Sequence, residues 1–238
     1  MKNENNFGYI GSVKSRRYDD QRYFQLNQFD QLNLEKRRFY TFFKRSIDLF
    51  FSLIGLIFLS PIMLWVAYKV HKEDPEAPII FTQERIGQDG NSFTMYKFRS
   101  MHGDAEKQLE ELLDQNEVKG PMFKMKEDPR VTEFGKLIRR TSLDEFPQLV
   151  NVIKGEMSLI GPRPALKREV INYTPHDRKR LLVKPGCSGL WQVSGRSEVH
   201  FEEMVAFDIE YIQKRSFWYD IRLILKTIKV MIKPEGAY

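Results

Sequence analysis

Hydrophobic and polar positions follow three regimes along this chain. Residues 1–40 show no sustained period; they are rich in Asn, Gln and Tyr, with eight Lys/Arg against five Asp/Glu, and read as a mostly flexible polar arm. Residues 49–68, "LFFSLIGLIFLSPIMLWVAY", carry no charged side chain. Twenty helical residues at about 1.5 Å each reach across roughly 30 Å of hydrocarbon, so length permits a membrane span. From about residue 73 onward, short periodic stretches alternate with Gly- and Pro-rich loops at 120–121, 161–164 and 185–189. No internal repeat and no second-domain linker is visible.

The apolar run does not read as a simple span. Pro61 lies near its middle, where it removes an amide and crowds the carbonyl of Ile57, so the helix should kink, with the Ser60 hydroxyl able to cover a freed group. Both flanks are basic: Lys36, Arg37, Arg38, Lys44 and Arg45 precede the run, and Lys69 and Lys72 follow it. A true span is oriented by charge asymmetry. A kinked span and a hairpin that enters and leaves by one face both remain open on these residues. A signal peptide is excluded, because the run starts near Ile47 and no small-residue cleavage site follows.

Beyond it, Ile79–Gln83 and Phe93–Arg99 flank Asp89-Gly90 and predict a β-hairpin. Residues 104–116 predict a charged, solvated helix. Further helices are expected at about 132–140, 142–154, 165–172, 175–182, 200–214 and 217–232, with Ser142 and Thr174-Pro175 as starts and Gly155 as a stop. On 217–232, Arg222, Lys226, Lys229 and Lys233 share one face and the remaining surface is almost wholly apolar. That suits a helix lying in an anionic lipid interface, and equally a core helix with one solvated edge.

Composition changes this picture in two ways. The net charge of +6 and pI of about 9.2 point to phosphate-bearing partners. The single cysteine, Cys187, excludes an internal disulfide and fits a reducing compartment, and the four dispersed histidines make no zinc spacing.

Candidate chemistry lies in four places. "TSLDEFPQL" puts Asp144 and Glu145 side by side after a Ser142···Glu145 spacing that also fits a capping box. "SLIGPRPAL" holds Arg163 between Pro162 and Pro164, a stiff stalk for a guanidinium that binds a planar or anionic group. "VKPGCSGLWQVSGR" is a glycine-rich loop ending in Arg196, without the spacing of known nucleotide cradles. Asp208 lies on the apolar stripe of its helix, and a carboxylate there needs a cation, a metal or hydrogen bonds. Asp220 opens the last helix, where complementing the helix dipole is the competing explanation.

Four stretches, "KFRSMHGDAE", "DPRVTEFGKLIRRTSLDEFPQLVNVIKGEMSLIGPRP", "PGCSGLWQVSGR" and "FDIEYIQKRSFWYDIRLILKTI", resemble the bacterial sugar transferase family, the monotopic polyprenol-phosphate phosphoglycosyl transferases. The resemblance covers roughly residues 40–232. With the flexible arm read above at 1–40, it implies an α+β, mainly helical fold: a re-entrant membrane helix-break-helix at 41–72 broken at Ser60-Pro61, and a cytoplasmic catalytic domain at 73–238 with a β-hairpin and interfacial amphipathic helices. By the same resemblance Asp144 and Glu145 form the catalytic dyad, Glu145 helps hold Mg²⁺, and Pro162, Arg163 and Pro164 meet the nucleotide end of the donor. Arg139 and Arg196 match phosphate-contacting arginines, and Asp208 and Asp220 are carried as further substrate-binding candidates. The expected partners are a UDP-sugar, undecaprenyl phosphate and membrane lipids, with homo-oligomerisation open and nucleic acid not expected. The expected location is the cytoplasmic face of a bacterial inner membrane. The chain departs from many members at Cys187-Ser188, where Ile/Val-Thr is usual, and in having a polar arm where large members carry several membrane helices and an extra domain.

Overall fold

The computed structural model describes residues 38–117, 123, 125, 127–194 and 200–232. Most of the N-terminal arm, and the Gly195-Arg196 pair, lie outside the described residues.

The apolar run forms one long helix, α1 (Arg38–Glu73), that continues through Ser60-Pro61 where a helix-break-helix was expected. The Ser60 hydroxyl donates to the Ile57 carbonyl at 2.7 Å, the acceptor that Pro61 leaves without an amide partner. By length and composition α1 could cross a membrane; its most apolar window has a mean hydropathy of 2.4 and is only 11% buried. Its outer face presents Phe50, Ile57, Phe58 and Leu64, while Ser52, Val66 and Val70 are turned into the protein.

Polar bolts hold α1 to the rest. Arg45 donates to the carbonyls of Val152 and Ile153. Asp48 accepts from the Ser158 hydroxyl at 2.7 Å and the Leu159 amide at 3.2 Å. Arg99 donates to the carbonyls of Val70 and Asp74, supplying partners to the C-terminal end of α1.

The hairpin forms as its turn signal predicts. Strands β1 (Ile80–Ile86) and β2 (Ser92–Phe98) pair antiparallel, with Asp89 (φ 56°) and Gly90 (φ 81°) left-handed in the loop. β2 is buried on both sides: Phe98 packs with Val66, Val70 and Ile138, and Phe93 and Met95 pack with Val152 and Met157. Helices α2 (Ala105–Leu112) and α3 (Glu133–Arg140) follow, the latter capped by Thr132, whose hydroxyl accepts the Gly135 amide at 2.9 Å.

The expected helix at 142–154 is two pieces. A 3₁₀ turn, Leu143–Glu145, precedes α4 (Gln148–Lys154), which ends at Gly155 (φ 85°) as the glycine signal predicts. Ser142 stands at φ 59° and its side chain caps no amide, so the expected capping box does not form. The reason is geometric: Thr141 still closes α3, and Ser142 is the left-handed residue that redirects the chain into the next turn.

Two three-residue strands, β3 (Ser158–Ile160) and β4 (Gly186–Ser188), pair in parallel and lack any alternation that would announce them. They bring the Pro162–Pro164 loop against the 185–194 loop so closely that a Cβ at Gly186 would lie 2.1 Å from the Gly161 amide nitrogen. α5 (Lys167–Val170) is shorter than expected, and 175–182 is realised as a 3₁₀ helix over Asp177–Leu182. α6 (Phe201–Lys214) and α7 (Phe217–Ile232) complete the chain, contributing Tyr211 and Leu223 to a cluster with Ile160 and Leu190.

Candidate active site

Asp144 and Glu145 sit on the 3₁₀ turn directly after α3, whose last turn carries Arg139 and Arg140. Asp144 is buried, whereas the Glu145 side chain is about a third exposed. Lys97, from β2, joins the two: its Nζ lies 2.7 Å from Glu145 Oε1 and 3.8 Å from Asp144 Oδ2. Burial pushes the Asp144 carboxyl up to about 6; Lys97 and Arg139 oppose that rise, and the Glu145 charge adds to it. The result is a carboxylate stripped of most of its water, ionised near neutral pH only because cations stand beside it. A carboxylate in such surroundings is chemically able to act as a nucleophile.

The Pro162–Pro164 loop is held from three sides. Arg163 Nη1 donates to both oxygens of Glu169 at 3.0 and 3.2 Å, and Glu169 is fully buried with its Oε2 also accepting the Leu166 amide. Arg180 Nη2 donates to the Arg163 carbonyl at 3.3 Å, and Arg85 Nη1 donates to the Pro164 carbonyl at 2.8 Å. With Nη1 taken by Glu169, the rest of the Arg163 fork is the edge a ligand would meet. Arg85 connects this loop to the dyad: it is within electrostatic reach of Arg163, Glu169 and Glu145, and burial lowers it to about 9.

Asp208 and Asp220 are engaged by internal partners. Asp208 is fully buried and accepts from Arg180 Nε at 2.7 Å, so it steadies the cation that holds the Arg163 carbonyl; burial raises it to about 6 against the pull of Arg180. Asp220 accepts from Tyr40 (2.7 Å), Lys44 (2.9 Å) and Tyr211 (2.9 Å), tying α7 to α1 and α6. The cation expected beside Asp208 is therefore a neighbouring arginine, and Asp220 does more than face the helix dipole. The structure thus brings Asp144, Glu145 and Arg139 together, gives the Arg163 loop a rigid seat, and sets Asp208 and Asp220 in the supporting framework. Arg196 lies outside the described residues.

Lys97, Arg85, Glu169 and Arg180 are the residues that sequence reading missed. A signal for two of them existed: in the hairpin register Phe81 faces Lys97 and Arg85 faces Phe93, so both cations share a strand face with the buried Met95. A cation on a buried strand face needs an anion or hydrogen-bond acceptors: Lys97 finds Glu145, and Arg85 finds the Pro164 carbonyl and Gln83 Oε1.

Among the described residues no group of three or more His, Cys, Asp and Glu could cage a metal. Mg²⁺, however, is commonly held by one or two carboxylates with substrate phosphates completing its shell. The adjacent dyad, with one partly accessible carboxylate, fits that donor set.

A family model described as bacterial sugar transferase matches residues 39–234. The chain is 44% identical over 195 residues to the galactosyl transferase CpsE of Streptococcus agalactiae serotype III, covering 82% of this chain and 43% of that protein. It is 43% identical over 212 residues to the undecaprenyl-phosphate galactose phosphotransferase of Salmonella typhimurium, covering 87% and 44%. Against the exopolysaccharide production protein ExoY of Sinorhizobium fredii the identity is 39% over 199 residues, with 82% and 88% covered. The chain therefore spans less than half the length of the first two relatives and nearly all of the third.

Proposed function

Since the chain belongs to the bacterial sugar transferase family, we propose that it transfers a hexose 1-phosphate from a UDP-sugar to undecaprenyl phosphate and releases UMP. The product is the diphosphate-linked lipid that opens assembly of a capsule, exopolysaccharide or O-antigen. The observation that carries the reading is the dyad: a buried Asp144 beside Lys97 and Arg139, with Arg85 within electrostatic reach of both Glu145 and the braced Arg163.

In the first step an Asp144 carboxylate oxygen attacks the phosphorus that bears the sugar. The bond to the uridine-side phosphate oxygen breaks, and UMP leaves with the electron pair. Asp144 is left as an acyl phosphosugar. In the second step a phosphate oxygen of undecaprenyl phosphate attacks the same phosphorus, and the Asp144 carboxylate leaves unchanged. Both steps transfer the phosphoryl group without net proton or redox chemistry at the protein.

Lys97 steadies Glu145 and keeps Asp144 charged; Arg139 adds positive potential where the equatorial oxygens gather charge. Arg163 orients the donor through its remaining fork, and the Arg196 side chain is assigned to the same ligand. Mg²⁺ would be held through Glu145 and, when bound, neutralises diphosphate oxygens as the leaving group departs.

Such chemistry needs a lipid-borne phosphate and a soluble nucleotide at one centre. We propose that α1 lies in the cytoplasmic leaflet of the inner membrane as a re-entrant element, bending at Ser60-Pro61 when it meets the bilayer, with α7 at the interface. The exposed apolar residues along α1 and the exposed Trp218, Leu225 and Ile228 of α7 support that placement. Galactose is the favoured sugar, because three of the related proteins carry galactose or galactosyl in their names. A screen of UDP-sugars with undecaprenyl phosphate and the purified protein tests the reading. UMP production from one of them supports it. Release of UDP would assign a monophosphate-linked product, and release of neither would leave a membrane scaffold.

A further inference from the structure

The Ile160 carbonyl, two residues ahead of Pro162, is reached by two hydroxyls, and each hydroxyl has a carboxylate as a rival acceptor. The Tyr211 hydroxyl lies 3.0 Å from that carbonyl and 2.9 Å from Asp220 Oδ1. The Ser158 hydroxyl lies 3.0 Å from the same carbonyl and 2.7 Å from Asp48 Oδ2. A hydroxyl has one proton to give, so each serves one acceptor at a time. Burial keeps the Tyr211 phenol protonated, well above the usual tyrosine range.

Both carboxylates answer to α1. Asp48 belongs to it. Asp220, from α7, accepts at Oδ2 from Tyr40 (2.7 Å) and Lys44 (2.9 Å), both in the first turns of α1. The Lys44 ammonium also lies 3.7 Å from Asp48 Oδ1, so one cation on the membrane helix serves both acids. With Tyr40 and Lys44 in place, Asp220 is satisfied at Oδ2 and the Tyr211 proton is left for Ile160. Without them, a buried charge competes for that proton and outbids a neutral carbonyl. Ile160 then loses a partner just before the loop whose Arg163 is braced by Glu169.

We propose that Lys44 and Tyr211 are positioning residues for donor binding: by satisfying Asp220 from α1, Lys44 leaves the Tyr211 proton to the Ile160 carbonyl, which fixes where the Pro162–Pro164 loop stands. This deepens the phosphotransfer reading and rests on Arg163 meeting the nucleotide end of the donor. It makes the seating of the membrane helix a condition for holding the soluble substrate.

Titration calorimetry of the full chain in phosphatidylglycerol nanodiscs, with UMP as the probe, tests it. Tyr211→Phe and Lys44→Met should each weaken UMP binding about tenfold, as for one lost hydrogen bond. The pair together should fall well short of the hundredfold loss that independent effects would give, since both act through one proton. Lys44→Arg, which keeps a cation beside both acids, should recover most of the affinity. If Lys44→Met fails to fold, Tyr40→Phe removes the other α1 donor to Asp220 and takes its place in the cycle. In turnover, donor KM should rise in the same proportion with kcat and acceptor KM little changed, whereas a mere loss of folded protein would lower kcat. Losses that multiply in the pair overturn the proposal. Unchanged UMP affinity in a Tyr211→Phe protein that still releases UMP removes the relay and leaves the reaction standing. The expected cycle in a protein that releases no UMP from any UDP-sugar would keep the relay and sink the enzymatic reading.

Discussion

At the scale of single residues, Asp144 is where stability and chemistry oppose each other. Its carboxyl is raised to about 6 by burial, so the folded protein binds this proton more tightly than the unfolded chain does. The stabilisation from that proton is full below the unfolded value near 4 and is lost as pH rises through 6. At neutral pH the ionised carboxylate is therefore a cost, on the order of 3 kcal/mol for a shift of this size. Asp144→Asn should melt several degrees higher than wild type at pH 7.5, with the gap closing toward pH 4, and should have no turnover; calorimetry across pH checks the first part. With Asp144 as the proposed nucleophile, the same ionisation should set the rate. Donor kcat/KM should fall tenfold per pH unit below about 6. Because Lys97 holds the carboxyl down, Lys97→Met should move that acid limb up by about one unit. A limb that stays in place would show that Lys97 does not set the charge of Asp144. None of this was legible around residue 144 alone, because Lys97 lies 47 positions earlier on a strand where a lysine ordinarily faces water.

At the scale of elements, the readable parts were those whose signal is local. The Asp89-Gly90 turn and its flanking alternation gave the hairpin, and Gly155 the end of α4. Ser142 misled, since Ser-x-x-Glu spacing cannot reveal that the preceding helix still holds Thr141 and forces a left-handed residue next. β3 and β4 were silent because three residues buried by tertiary contact need no alternation. The Arg163 loop shows how such elements serve a site: its proline-fixed backbone was legible, its brace of Glu169, Arg180 and Arg85 was not. Arg163→Lys keeps the charge but loses the planar fork, so donor KM should rise about tenfold, as for loss of one charge-assisted hydrogen bond, with acceptor KM little changed. Steady-state kinetics with each substrate varied in turn reads this directly, and an unchanged donor KM removes Arg163 from the site. In α1, the Ser60 hydroxyl on the Ile57 carbonyl is the device expected where a proline must be tolerated out of water.

At the scale of the whole molecule, the proposed reaction requires one long apolar helix and a polar catalytic layer to share a membrane interface. If α1 is re-entrant, the chain before it lies in the cytoplasm with the catalytic domain. A cysteine placed at Ser12 in a Cys187→Ser background should resist a membrane-impermeant maleimide in intact cells and react after permeabilisation. Labelling of intact cells would mean a through-span. Pro61→Leu should move part of the population to the labelled form, with activity falling in parallel. The claim that unites dyad, loop and membrane helix is that Asp144 carries the sugar phosphate between a soluble donor and a lipid acceptor. Intact-protein mass after incubation with the active UDP-sugar and Mg²⁺, with undecaprenyl phosphate withheld, tests it most directly. The account predicts an added hexose phosphate on wild type, absent from Asp144→Asn and discharged when undecaprenyl phosphate is supplied. An Asp144→Asn protein that still releases UMP at a substantial rate, or a wild type that turns over without ever carrying the adduct, would contradict it.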